Sequence, residues 1–255
     1  MFEAERCPEV IRDPAFIRRV CDRHAGVGAD GVHILAAPTE KGIDFHLDYY
    51  NSDGSSAEMC GNGGRCVARY AVEHNIAPEK HSFETIAGVI SAEVKGPMVK
   101  VQLTAPGNLQ RGLEVTFDGV TYQVDSINTG VPHAIVFSNN VDAEDIGAIG
   151  SGIRHHSVFA PAGANVNLVE KKGDHAIKIR TFERGVEGET LACGTGAVAS
   201  AIVAFSDNQV TSPVEVETRG GEILKVYFET SNGSVTEAWL EGLTKVTFEG
   251  TIVEL

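Results

Sequence analysis

Cys193-Gly194-Thr195-Gly196-Ala197-Val198-Ala199-Ser200-Ala201 echoes Cys60-Gly61-Asn62-Gly63-Gly64-Arg65-Cys66-Val67-Ala68 at an offset of 133 residues (193 − 60). Both stretches begin C-G-[NT]-G, and both run on into small and apolar residues suited to a buried helix. Ala68 and Ala71 register with Ala201 and Ala204 at the same offset. A four-residue match alone is within chance. The same strand-rich approach and the same helix behind it argue for two related halves.

Working outward, Asp13-Pro14 has the form of a helix start, with Asp as N-cap and Pro at the first helical position. Phe16, Ile17, Val20 and Cys21 give that helix one apolar face, and Gly26 is its expected end. Strands are expected at 32–35 and 44–50, with Asn51-Ser52-Asp53-Gly54 turning the chain, and then, after the first glycine-rich helix, at 82–87, 89–94 and 98–103. Thr104 to Gly112, with Pro106 and two glycines, is the expected crossover between halves. Beyond it the pattern predicts strands at 114–117, 121–127 and 134–137, a surface helix over 141–149, and strands at 164–170 and 176–182. The second glycine-rich helix spans 194–205, and strands follow at 214–218, 223–229, 235–240 and 245–255. The expected domains are residues 1–108, joined by a last strand over about 246–255, and residues 109–245. The fold class is α+β: two pseudo-symmetric domains, each a curved, mostly antiparallel sheet around a central helix, with the site in the cleft between them.

Composition narrows the function. Lys and Arg number 21 against 35 Asp and Glu, a formal charge of −14 spread along the chain. Nucleic acid is an unsuitable partner, because phosphate recognition requires clustered positive charge. No window approaches the roughly 20 apolar residues of a membrane span, so a soluble, cytoplasmic protein is expected. Five cysteines, odd in number and without a CxxC, form neither a disulfide framework nor a zinc ribbon. The adjacent His155 and His156 cannot both face one ion from regular structure, and no metal is expected. No Gly-Lys-Ser/Thr or GxGxxG accompanies the glycines, so nucleotide binding is not indicated.

The chemistry lies at the two cysteines. A helix start exposes unpaired N–H groups and the positive end of the macrodipole, which favours a thiolate and can hold a carboxylate. A thiol there is expected to fall below its ordinary pKa of about 8.5. Two such thiols suit paired proton transfer: Cys60 and Cys193 on opposite faces of a substrate carbon, one as thiolate and one as thiol, invert its configuration. A disulfide between them would abolish both roles. No cofactor motif is apparent, and electrostatic stabilisation at two helix starts takes the place of an electron sink. Cys7, Cys21 and Cys66 read as small core residues.

At these motifs the sequence resembles the diaminopimelate epimerase family, the cofactor-independent two-cysteine epimerases of lysine and peptidoglycan precursor synthesis. Met59–Cys66 and Glu183–Gly196 are similar to the family's two long signatures. Asp22-Arg23-His24, Gly26–Gly31, Asn51–Ser55, Thr129–His133 and Ala164-Asn165-Val166-Asn167 match further segments. The resemblance implies that Cys60 and Cys193 are the acid/base thiols, with His133 and Glu183 beside them. It further implies that Gly61, Asn62, Gly194 and Thr195 bind the reacting carboxylate, and that Asn51, Asn165 and Arg184 hold the distal amino-acid end. A small-molecule amino-acid substrate and a C2 homodimer follow. A Gly-x-Gly-Asn-Asp-Phe-like segment of the family does not occur, and Gly31 and Val131 replace commoner Gln and Asn. The alternatives are therefore a cofactor-independent racemase of another amino acid, or a non-catalytic or truncated paralogue lacking the first strand.

Overall fold

The computed structural model describes residues 1–57, 61–231 and 233–253. The chain divides into two compact units, Met1–Val101 with Leu243–Leu255, and Gln102–Gly242.

The first unit contains strands β1 (Phe2–Glu3), β2 (Gly31–Ala36), β3 (Phe45–Asn51), β4 (Lys80–Thr85), β5 (Gly88–Lys95) and β6 (Met98–Leu103), adjacent in that order. Pairing is parallel for β1–β2 and β3–β4 and antiparallel for the rest. Helix α1 (Pro14–Cys21) starts as its sequence dictates, the Asp13 carboxylate accepting from Ala15 N–H at 2.7 Å. It stops at Cys21, five residues before the expected Gly26. Asp22 captures the His24 and Ala25 N–H groups, and the chain folds back so tightly that a Cβ on Gly26 would lie 1.8 Å from the Arg19 carbonyl oxygen. Ile17, Val20 and Cys21 pack on Ile11, Val32 and Ile34. Helix α2 (Gly61–Glu73) lies on β5, burying Val67, Ala68 and Ala71.

The second unit contains β7 (Gly107–Phe117), β8 (Val120–Asn128), β9 (Pro132–Phe137), helix α3 (Ile146–Arg154), β10 (Asn165–Gly173), β11 (Ala176–Glu183), β12 (Gly188–Thr190), helix α4 (Gly194–Ser206), β13 (Val214–Glu217), β14 (Ile223–Ser231) and β15 (Ser234–Leu243). The sheet runs β15-β14-β13-β11-β10-β9-β8-β7, with the short β12 on β11. Among the described residues only β9–β10 and β11–β13 pair in parallel in this unit. Val166 and Leu168 of β10 face α3, packing with Ile146, Ile149, Ile153 and Phe182. The period-2 alternation of strands turns Asn165 and Asn167 to the opposite face, which α4 covers. Residues 165–169 are consequently buried on both faces.

The repeat is visible in topology. In each unit an antiparallel pair (β2–β3, β10–β11) is followed by a Cys-Gly-x-Gly helix, a strand parallel to the pair's second member, and two further antiparallel strands. Helices α2 and α4 both span 13 residues and begin and end at the offset of 133 (194 − 61 and 206 − 73).

Three expectations are corrected. The stretch 104–112 is largely strand: β7 begins at Gly107 and absorbs its turn-forming residues as two register shifts against β8. The surface helix over 141–149 is a one-turn 3-10 segment, Val141–Ala143, followed by α3, whose Ile146, Ile149 and Ile153 are core. The tail from 246 to 253 forms no strand. Among the described residues it makes no strand pairing, and Phe248 is 67% exposed. Thr244, hydrogen-bonded to Pro97 and Arg69, and Ile252, packed against the α1 core, tether it to the first unit. Among the described residues no helix is long and apolar enough to cross a membrane.

Candidate active site

In the second unit the alternation of β9, β10 and β11 sets His133, Asn165, Asn167, Thr181 and Glu183 on the face opposite α3. Helix α4 is almost wholly buried, Gly194 and residues 196–204 included, and its first turn is brought against these side chains. Glycine is required there: a Cβ on Gly196 would lie 2.4 Å from Asn167 Oδ1 and 3.2 Å from Cys193 Sγ. The helix start thus settles directly onto the polar strand residues.

Cys193 is the N-cap of α4. Its Sγ accepts from Gly196 N–H at 3.4 Å, and the Thr195 hydroxyl lies 3.5 Å away. Thr129 Oγ1 donates to the Thr195 carbonyl oxygen at 3.1 Å, fixing the turn. Glu183, at the end of β11, accepts from Thr190 Oγ1 at 3.0 Å, and its charge acts on the thiol. Cys193 is 7% exposed. Burial first, then the Glu183 charge, pushes its thiol up to about 12, outweighing the lowering by the Thr195 hydroxyl and Gly196 N–H. The expectation of a lowered thiol pKa is therefore reversed here. A helix start stabilises a thiolate only as far as it outweighs desolvation, and this thiol is enclosed. Cys193 rests as a neutral thiol.

His133 is completely buried. Desolvation and then the Arg184 charge hold it down to about 3, so the imidazole is neutral. Asn167 Nδ2 lies 3.0 Å from its Nδ1. Asn165, register partner of His133, accepts from Arg184 N–H at 2.8 Å, and Arg184 Nη1 reaches the Ala162 carbonyl oxygen at 3.5 Å. The tight turn after Arg184 is pinned by Glu187, which accepts from Gly185 N–H and pairs with Arg154 and His155.

In the first unit, Asn51 ends β3 and its Nδ2 donates to Ser55 Oγ at 3.1 Å, within a turn that Asp53 also caps. Gly61 is buried at the start of α2, and Asn62 Oδ1 accepts from Arg65 Nη2 at 3.0 Å. Cys60 lies outside the described residues. Among the described residues no three His, Cys, Asp or Glu side chains converge as metal ligands. Cys193, Glu183, Thr195, His133, Asn165 and Arg184 are thus gathered at one helix start, while Asn51 and Asn62 occupy two turns of the other unit. Sequence reasoning left Asn167, Thr181 and Thr190 without a role. The first was legible in the alternation of Asn165-Val166-Asn167, which puts both asparagines on one face.

This fold is shared with solved racemases and epimerases and with phenazine-biosynthesis proteins. A probable proline racemase from Agrobacterium radiobacter superposes with a TM-score of 0.68 at 16% identity, covering 93% of this chain and 82% of that one. A hydroxyproline epimerase from Agrobacterium vitis gives 0.67 at 16%, covering 89% and 76%. The chain belongs to the diaminopimelate epimerase family, whose model matches residues 3–107 and 126–238. It is 47% identical to the diaminopimelate epimerase of Aquifex aeolicus over 242 residues, 94% of this chain and 85% of that protein. It is 45% identical to that of Archaeoglobus fulgidus over 225 residues, 84% and 78%. The chain is accordingly an isomerase.

Proposed function

We propose that the chain interconverts LL- and meso-2,6-diaminopimelate by two-base proton transfer, with Cys193 and Cys60 alternating as thiol and thiolate. The observation that carries this reading is the enclosed, neutral Cys193 thiol at the start of α4, with Glu183 at its side, in a chain of an epimerase family. In one direction the Cys60 thiolate takes the α-proton while Cys193 S–H delivers its proton to the other face of the carbon. The S–H pair of Cys193 stays on its sulfur, and the two cysteines exchange protonation states. The reverse reaction starts from the exchanged state, as microscopic reversibility demands.

The carbanion needs stabilisation in place of an electron sink. Helix geometry leaves the N–H groups of Gly194 and Thr195 without an intrahelical acceptor, and these receive the charge that develops on the reacting carboxylate. Gly61 and Asn62 supply the equivalent at α2. Arg184 pairs with the distal carboxylate, while Asn51 and Asn165 orient the distal amino group. Enclosure excludes water and strengthens each of these interactions. We further propose a cytoplasmic C2 homodimer that acts in lysine precursor synthesis.

The test is proton NMR of LL-diaminopimelate incubated with the reduced protein in D₂O. α-Deuteration with appearance of the meso isomer is expected, and Cys193→Ser and Cys60→Ser are each expected to lose nearly all of it. Wild-type turnover in either variant would sink the two-base mechanism. Exchange with proline but not with diaminopimelate would replace the substrate.

A further inference from the structure

Asn167 is fully buried, and its amide is committed at both ends. Oδ1 accepts from Thr181 Oγ1 at 2.9 Å, while Nδ2 lies 3.4 Å from the Ala134 carbonyl oxygen and 3.0 Å from His133 Nδ1. A backbone carbonyl can only accept, so the amide atom facing Ala134 must be the nitrogen. The atom facing His133 is then also a donor. Nδ1 must present its lone pair, and a neutral imidazole in that position carries its proton on Nε2. That Nε2 is buried and has no hydrogen-bond partner among the described residues. A buried donor of this kind is costly when unsatisfied, and it is retained where a ligand completes it. On its other side, Asn167 Oδ1 packs against Gly196, one turn of backbone from the Cys193 thiol.

We propose that Asn167 is a positioning residue that locks His133 as its Nε2–H tautomer, making the ring a hydrogen-bond donor to an anionic oxygen of the bound substrate and barring it from acting as a base. This rests on the epimerase reading and adds to it the role of the histidine: stabilisation of developing charge, with proton abstraction left to the thiols. Thr181 belongs to the same device, because its hydroxyl fixes which way the amide points. The strand pairing holds all three, with Asn165 opposite His133 on β9 and Asn167 opposite Thr181 on β11.

The test reads the ring directly. Long-range ¹H–¹⁵N correlation on histidine-labelled protein, with His133 assigned by His133→Asn, is expected to show neutral His133 protonated on Nε2. In Asn167→Asp the carboxylate accepts from Nδ1–H, so the tautomer switches and the ring titrates at higher pH. kcat is expected to fall by ~100-fold, the scale of losing one oriented donor, with a smaller change in KM. Nδ1–H in the wild-type spectrum would overturn the proposal, as would a switched tautomer in Asn167→Asp with kcat unchanged. If Asn167→Asp does not fold, the wild-type spectrum still decides the tautomer, and Thr181→Val, which frees the amide to flip, is the second variant: Nε2–H alone with full kcat there would also overturn it. Failure of wild-type α-deuteration would defeat the epimerase reading separately, because the ring spectrum requires no substrate.

Discussion

At the Cys193 thiol two opposed influences are held in balance. Burial and the Glu183 carboxylate raise it, while the Thr195 hydroxyl and Gly196 N–H lower it, and the first pair prevails. Each influence belongs to one side chain or one backbone group, so each can be moved separately. Glu183→Gln removes a charge but keeps the shape. The thiol pKa is expected to fall, and peptide-resolved alkylation rates against pH should show the Cys193 midpoint moving to lower pH. Thr195→Val keeps the volume but loses the hydroxyl, and the midpoint is expected to move the other way. An unmoved midpoint in both variants would mean that enclosure alone sets the thiol, with no part for either neighbour. Neither substitution alters Cys7 or Cys66, which are partly exposed and serve as internal references.

At the scale of the element, the start of α4 works because nothing but hydrogen stands at position 196. Gly196→Ala would drive a Cβ to 2.4 Å from Asn167 Oδ1, and neither that buried amide nor the helix backbone can yield cheaply. A loss of about 1–3 kcal/mol in denaturant unfolding is expected, as for overpacking elsewhere, together with a larger fractional loss of kcat than of 1/KM. Full stability in this variant would show that the strand face and the helix are free to part. Such a contact is only half visible in a sequence. The glycine, the cysteine and the helix behind them are legible, because a Cys-Gly-x-Gly opening and a small-residue run are local facts. So are most strands, since β6 is matched end to end and β8, β11 and β14 nearly so. What escapes is whatever depends on the partner. The enclosure that raises Cys193 comes from strands distant in sequence. Residues 107–112 join a strand only because β8 accepts their bulges, and 246–253 alternates like a strand but pairs with none among the described residues. α3 looked like a surface helix through its acidic approach, yet Ile146, Ile149 and Ile153 already carry the i, i+3, i+7 spacing of a buried face.

For the whole molecule, buried titratable groups bound the pH range of folding. Burial holds His133 down to about 3 and His33, stacked on Tyr49 at 4.6 Å, down to about 4; His81 is lowered as well, again by burial. Unfolded histidines titrate near 6.5, so between about 6.5 and 3 the unfolded chain binds more protons than the folded one. Stability from these groups is complete above about 6.5 and is lost as the pH falls, by up to about 1.4 kcal/mol per pH unit for each histidine. At the other end Cys21 and Cys193 are raised by burial, Cys193 to about 12. Unfolded thiols ionise near 8.5, so from about 9 upward the unfolded chain binds fewer protons and stability falls as pH rises. Urea unfolding across the pH range is therefore expected to give a plateau between about 6.5 and 9 with a limb on either side. His133→Asn should flatten the acid limb by one proton and leave the alkaline limb alone, and Cys193→Ala should do the reverse. The slopes are the readout, because either substitution also changes packing and so displaces the whole curve. An acid limb of unchanged slope in His133→Asn would mean that the imidazole is protonated in the folded protein, against both its burial and the donor that Asn167 turns toward Nδ1.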